Sequence, residues 1–136
     1  MAITASVRSS TWDAVAPEAD AVALLLHGYG SHEQDLPGLA PWLPEDLPWI
    51  SPRAPLAVAG AGFSWFPLDL PHEPDPRGIA DATDELWEWI GAELPQNASL
   101  VPVGFSQGGL MALQLLRTRP ERVAATVVLA GFVGGG

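Results

Sequence analysis

Two stretches of this sequence hold residues of the types and spacing that chemistry requires: Gly104-Phe105-Ser106-Gln107-Gly108-Gly109 and His27-Gly28-Tyr29-Gly30. In the first, a serine is bracketed by glycines in a G-x-S-x-G pattern, the arrangement of a nucleophile carried on a sharp strand-to-helix turn. Such a serine attacks a carbonyl only when a base removes its proton, and the tetrahedral oxyanion that forms needs donors aimed at it. The Gln107 backbone N–H, opening a helix whose dipole favours negative charge, is one candidate donor. The second stretch is glycine-rich, so its backbone can approach closely, and the Tyr29 N–H is the other candidate. Gly104 and Gly108 meet the need for small residues where strand and helix converge on a strained turn.

The remaining polar residues are read more plainly. His27 directly follows an apolar run and is expected to pin the loop that begins at Gly28 by hydrogen bonding, not to act as the base. His32 lies at a helix start and His72 in a Pro-rich loop, where surface histidines are common. No His-Glu-x-x-His or comparable spacing occurs, and there is no Cys, so neither a metal site nor a cofactor is expected. Gly104 to Gly109 lacks the Lys of a phosphate-binding loop and the spacing of a dinucleotide fingerprint.

The elements that must position these groups follow from hydrophobic patterning. Ala21 to Leu26 (AVALLL) is a short unbroken apolar run, suited to a central strand buried on both faces. Ser31 and Gln34 have capping-box spacing, predicting a short or broken helix limited by Pro37 and Pro41. Trp49 to Arg53 is expected as a second core strand between Pro48 and Pro52. Ala54 to Pro76 is a long Gly- and Pro-rich connection of the kind that shapes sites. Asp75 as N-cap and Pro76 at the first helical position predict a helix to Leu94, with Ile79, Thr83, Leu86 and Ile90 on its buried face. Ser99 to Val103 is read as a strand, Gln107 to Arg117 as a helix, and Val123 to Ala130 as another fully buried strand. The fold class is α/β, with a mostly parallel sheet covered on both faces. Pro102 sits awkwardly within a presumed central strand.

Composition narrows the partners. The 136 residues, 48% hydrophobic, suit a single domain, and the formal net charge of −10 with six Arg and no Lys argues against nucleic acid. All acids but Glu121 precede Leu94, whereas Arg117, Arg119 and Arg122 cluster near the end. Residues 1–15 lack the apolar core of a secretory signal, and no run is long enough to span a bilayer. The cytoplasm is the expected compartment, and no membrane span is expected.

The sequence resembles the phospholipase/carboxylesterase family of α/β-hydrolases, which includes acyl-protein thioesterases. The likeness rests on Leu25 to Gly30 with Glu33-Gln34-Asp35-Leu36, then Ser51 to Pro55, then Ser64-Trp65-Phe66, then Gly104 to Gly109, in that order. It spans about Val22 to Val133 and implies a doubly wound, mostly parallel sheet. It further implies hydrolysis of a small carboxylic ester or thioester through Ser106, oxyanion donors at Tyr29 and Gln107, and Trp65 bordering the acyl pocket.

One departure matters. The triad of an α/β-hydrolase runs Ser, Asp or Glu, then His along the chain. After Ser106 this sequence has Glu121 but no Asp and no His. The reading is therefore the N-terminal portion of one catalytic domain, its sheet incomplete at the C-terminal edge. Three outcomes are expected: a second polypeptide completing the domain, self-association through Val123 to Ala130, or a fragment of low stability. Gly134 to Gly136 would be a loop where the full domain was divided. A binding module that keeps the half-sheet is the alternative from another class.

Overall fold

The computed structural model describes residues 2–60, 62–69 and 71–129. Its centre is the apolar run Ala21–Leu26, which forms strand β2, with every residue from Val22 to Leu26 fully buried. β2 pairs in parallel with β3 (Trp49–Pro52) on one side and β6 (Ser99–Phe105) on the other. Strand β1 (Ser6–Arg8) adds antiparallel to β3, and β7 (Val127–Leu129) adds parallel to β6, giving the order β1-β3-β2-β6-β7. A sheet hydrophobic on both faces must be covered on both. Val22, Leu24 and Leu26 face helices α2 (Pro76–Glu93) and α3 (Gln107–Thr118), while Ala23 and Leu25 face Leu36, Leu39, Leu43 and Leu47. The two covers are unequal: both long helices lie on one face, and a 3-10 segment, Leu36–Trp42, with the chain that follows it covers the other.

Helix α2 begins where its capping residues dictate. The Asp75 carboxylate accepts the Arg77 N–H at 2.9 Å, and Pro76 occupies the first turn, where its missing N–H costs nothing. Ile79, Thr83, Leu86 and Ile90 are buried as expected, joined by Ala82 and Trp87.

Pro102 is accommodated by the sheet. Leu100 O accepts from Ala124 N at 2.8 Å on the β7 side, and backbone groups two residues apart in a strand face the same neighbour. The missing N–H of Pro102 therefore faces residues 124–126, which form no strand; the ladder resumes at Val127.

The structure corrects three expectations and adds elements in two places. The capping box at Ser31 and Gln34 does not form: Ser31 Oγ donates to Asp35 Oδ2 at 2.7 Å, and Gln34 N donates to His32 Nδ1 at 3.1 Å. The local side chains satisfy one another, and with Pro37 and Pro41 the segment is held to 3-10 geometry. The strand expected at Val123 to Ala130 is shorter, and Ala130 and Gly134 to Gly136 lie outside the described residues. Nor is it fully buried, since Val127, Val128 and Leu129 are 41%, 37% and 37% exposed. Among the described residues no element pairs with or covers its outer side, so an apolar run read as core is an open edge. The long connection after Ala54 contains a two-stranded hairpin, β4 (Leu56–Ala57) with β5 (Phe63–Ser64), and β1 with the short helix α1 (Trp12–Val15) precedes β2.

Candidate active site

Ser106 sits between the C-terminal end of β6 and the first residue of α3, with φ 54° and ψ −115°. It is the one non-glycine residue with positive φ among those described. An L-residue holds this conformation only when its surroundings over-determine it. Here β6 and α3 are drawn so close that a Cβ on Gly104 would run into the Gly108 carbonyl, and one on Gly108 into the carbonyls of Leu26 and His27. The Ser106 N–H is fixed on Leu129 O at 3.0 Å, and its carbonyl accepts from Gly109 N at 2.9 Å. Its hydroxyl makes no capping bond to the helix, so the side chain is left at the N-terminal mouth of α3.

The loop after β2 comes to the same point. A Cβ on Gly28 would lie 3.1 Å from Phe105 Cδ1, 3.2 Å from Phe105 O and 3.3 Å from Ser106 Cβ, so a side chain here would make the turn give by a few tenths of an ångström. Gly30, at φ 77°, bends the loop back and donates its N–H to Phe63 O at 2.8 Å. Tyr29 lies between them with its side chain exposed. Gln107 N–H is the first of α3 and has no acceptor within the helix.

His27 is fully buried and both ring nitrogens are engaged. Ala54 N–H donates to Nε2 at 3.0 Å, which places the ring proton on Nδ1, and Nδ1–H donates to Gly28 O at 2.8 Å. Desolvation pushes its pKa below the ordinary histidine range, opposed by the Gly28 bond and by Glu33. A neutral ring with both nitrogens occupied is a pin for the loop, with none left to take a proton from a serine.

Trp65, which the resemblance puts at the border of an acyl pocket, is 2% exposed and packs against His27 with ring centroids 5.4 Å apart. Its indole N–H donates to His27 O at 2.8 Å. A hollow of about 340 Å³ is lined by Asp35, Leu36, Gly38, Leu39, Phe105 and Leu129, the last two being the residue before Ser106 and the acceptor of its N–H. Trp65 anchors the loop underneath.

Three participants were not foreseen. The Gln107 side chain is fully buried: Oε1 accepts from Trp65 N at 2.7 Å, and Nε2 donates to Phe66 O at 2.7 Å. Glu33 and Arg53 form a two-bond ion pair at 3.0 and 2.7 Å, and the Arg53 guanidinium lies over the Phe63 ring at 4.5 Å. The pair holds the Glu33 carboxyl below its usual range. The segments carrying Glu33 and Arg53 stood out in sequence only as resemblance blocks; their pairing depends on tertiary placement. His32 and His72 are exposed, and Glu121 is an exposed residue of a 3-10 turn (Pro120–Arg122). Among the described residues no group of three or more His, Asp or Glu is placed to hold a metal ion, and no helix is long and apolar enough to cross a membrane.

Comparison with known proteins gives this geometry its relatives. The phospholipase/carboxylesterase family model matches residues 13–134. Acyl-protein thioesterase 1 of Cryptococcus neoformans is 29% identical over 131 residues, covering 83% of this chain and 55% of that protein. The pimeloyl-[acyl-carrier protein] methyl ester esterase of Aromatoleum aromaticum is 35% identical over 107 residues, covering 78% and 35%. The chain thus spans about half the length, or less, of these curated relatives. Among solved structures, esterase PE8 superposes with a TM-score of 0.76 at 30% identity, covering 99% of this chain and 66% of that one. The Bacillus cereus carboxylesterase does so at 0.77 and 24%, covering 94% and 60%, a likeness of fold. The sheet and the family match agree: the chain has the fold of the α/β-hydrolase esterases and belongs to the phospholipase/carboxylesterase family.

Proposed function

We propose that this chain carries the nucleophile and the oxyanion donors of a serine hydrolase acting on small carboxylic esters or thioesters. The observation that carries the reading is the forced backbone of Ser106, with Gly28 packed against it. Ser106 Oγ attacks the acyl carbon, the carbonyl oxygen takes up negative charge, and the N–H groups of Tyr29 and Gln107 receive it. The intermediate collapses with loss of the alcohol or thiol, leaving an acyl-enzyme that water then cleaves. Relatives named for thioester and for methyl ester cleavage support both leaving-group classes. The mostly apolar lining of the hollow at Phe105 and Leu129 suits an aliphatic acyl group.

His27, at the start of the loop packed against Ser106, is not the base, since it has no nitrogen to spare. An Asp and a His from outside residues 1–136, in a longer chain or a second polypeptide, complete the proton transfer. Without them a residual rate remains, on the order of 10³ to 10⁴ over water where serine-protease triads have been removed. A fluorophosphonate probe separates this reading from a binding module. The expected result is a covalent adduct mapped by mass spectrometry to Ser106 and absent from Ser106→Ala; an unlabelled Ser106, with base supplied as free imidazole, would refute the reading.

A further inference from the structure

Three backbone segments meet at Ser106, and one buried side chain ties them together. Gln107 holds the backbone of Trp65 and Phe66 through both ends of its amide, at 2.7 Å each. Trp65 passes the restraint on, its indole N–H gripping His27 O at 2.8 Å, and the His27 ring holds Gly28 O and Ala54 N. The neighbouring Phe63 closes the circuit: its carbonyl accepts from Gly30 N, and its N–H donates to Ser31 O, both at 2.8 Å. The loop bearing Tyr29 is therefore fastened to α3 by a chain of hydrogen bonds that begins at the residue whose own N–H is the other donor.

We infer that the Gln107 side chain is a positioning residue, a brace that fixes the separation of the Tyr29 and Gln107 N–H groups. The inference rests on the proposed oxyanion role of those two groups. An oxyanion site works by donors held in place before the charge arrives, so a loop free to drift would lose stabilisation at the moment of attack. A buried primary amide suits the task because it offers an acceptor and a donor from one rigid plane. A burial-only role would need neither.

The test uses two variants of the full 136-residue chain. Gln107→Met keeps length, bulk and the backbone N–H but removes both bonds. Gln107→Glu is a conditional variant: its neutral carboxyl can accept from Trp65 N–H and donate to Phe66 O. Its carboxylate can only accept, and it opposes the Phe66 carbonyl. Burial raises the pH at which that change occurs. His27, its ring tilted against Trp65, is the ionisable ring in the network; a wild-type profile run alongside removes its contribution.

Amide protection factors are read at Gly30 and Ala54, remote from the substitution, and at Leu24 and Val103 in the sheet. With Gln107→Met the account expects protection at Gly30 and Ala54 to fall about tenfold, the scale of one or two net hydrogen bonds, with the sheet amides unchanged. With Gln107→Glu it expects wild-type protection at low pH and the same selective loss at high pH. No loss, or an equal loss across the sheet, would overturn the brace. Fluorophosphonate labelling of Ser106 with imidazole present is the second readout. Slower labelling in step with lost protection supports the positioning role, and unchanged labelling despite lost protection overturns it. A wild-type chain that does not label refutes the proposed function instead, and the protection factors still decide whether the brace exists.

Discussion

A serine at φ 54° and ψ −115° occupies backbone space that costs about 1–3 kcal/mol, and the glycines around it are what make that space reachable. Gly108 is the most exacting of them, because an added methyl would meet the Leu26 and His27 carbonyls, atoms of β2 and the loop after it that cannot yield separately. Gly108→Ala is expected to lower stability by about 1–3 kcal/mol, the usual range for overpacking, seen as a lower urea midpoint with an unchanged slope. A shift within error of zero would show that the elbow is looser than described. A second residue-scale prediction concerns pH. His27 has a folded pKa below its unfolded value of 6.5, so the unfolded chain binds the proton first. The associated stability is complete above pH 6.5 and is lost as pH falls through the folded pKa. Glu33, lowered from 4.5 by Arg53, adds a further loss in more acid solution. Urea titrations across this range should show His27→Gln with a flatter dependence just below pH 6.5 than wild type; parallel curves would remove His27 from the account.

At the scale of elements, strands β2, β3 and β6 and helices α2 and α3 were legible because each carries its own signal: an apolar run, a proline boundary, an Asp-Pro start, a glycine elbow. Strands β1, β4 and β5 were not, being two or three residues long and defined by their partners more than by pattern. The Gln107 clamp escaped for a related reason: its partners lie 42 and 41 residues earlier, and an amide beside Ser106 does not announce a buried role. Burial misled at β7, where Val127-Val128-Leu129 reads as core yet is more than a third exposed on every residue. Phe105, 42% exposed and paired with Leu129, extends that apolar surface. An unpaired apolar edge invites strand addition. The chain by itself is expected to associate in a concentration-dependent way in sedimentation, and Val128→Lys to reduce that association. A wild-type monomer at every concentration would contradict this.

Across the whole molecule the division of labour is uneven. The sheet and its two long helices deliver a strained serine, a glycine loop beside it and a hydrogen-bonded frame between them, while His27, the histidine of that frame, has no ring nitrogen free to take the proton. The central claim is that Ser106 is a nucleophile in place, lacking only a base. Adding imidazole to the purified chain with a short-chain aryl ester measures this directly. The predicted result is an imidazole-dependent hydrolysis above the solution background, with an acyl adduct on Ser106 by intact mass, both lost in Ser106→Ala. Equal rates for wild type and Ser106→Ala at every imidazole concentration, with no adduct, would contradict it.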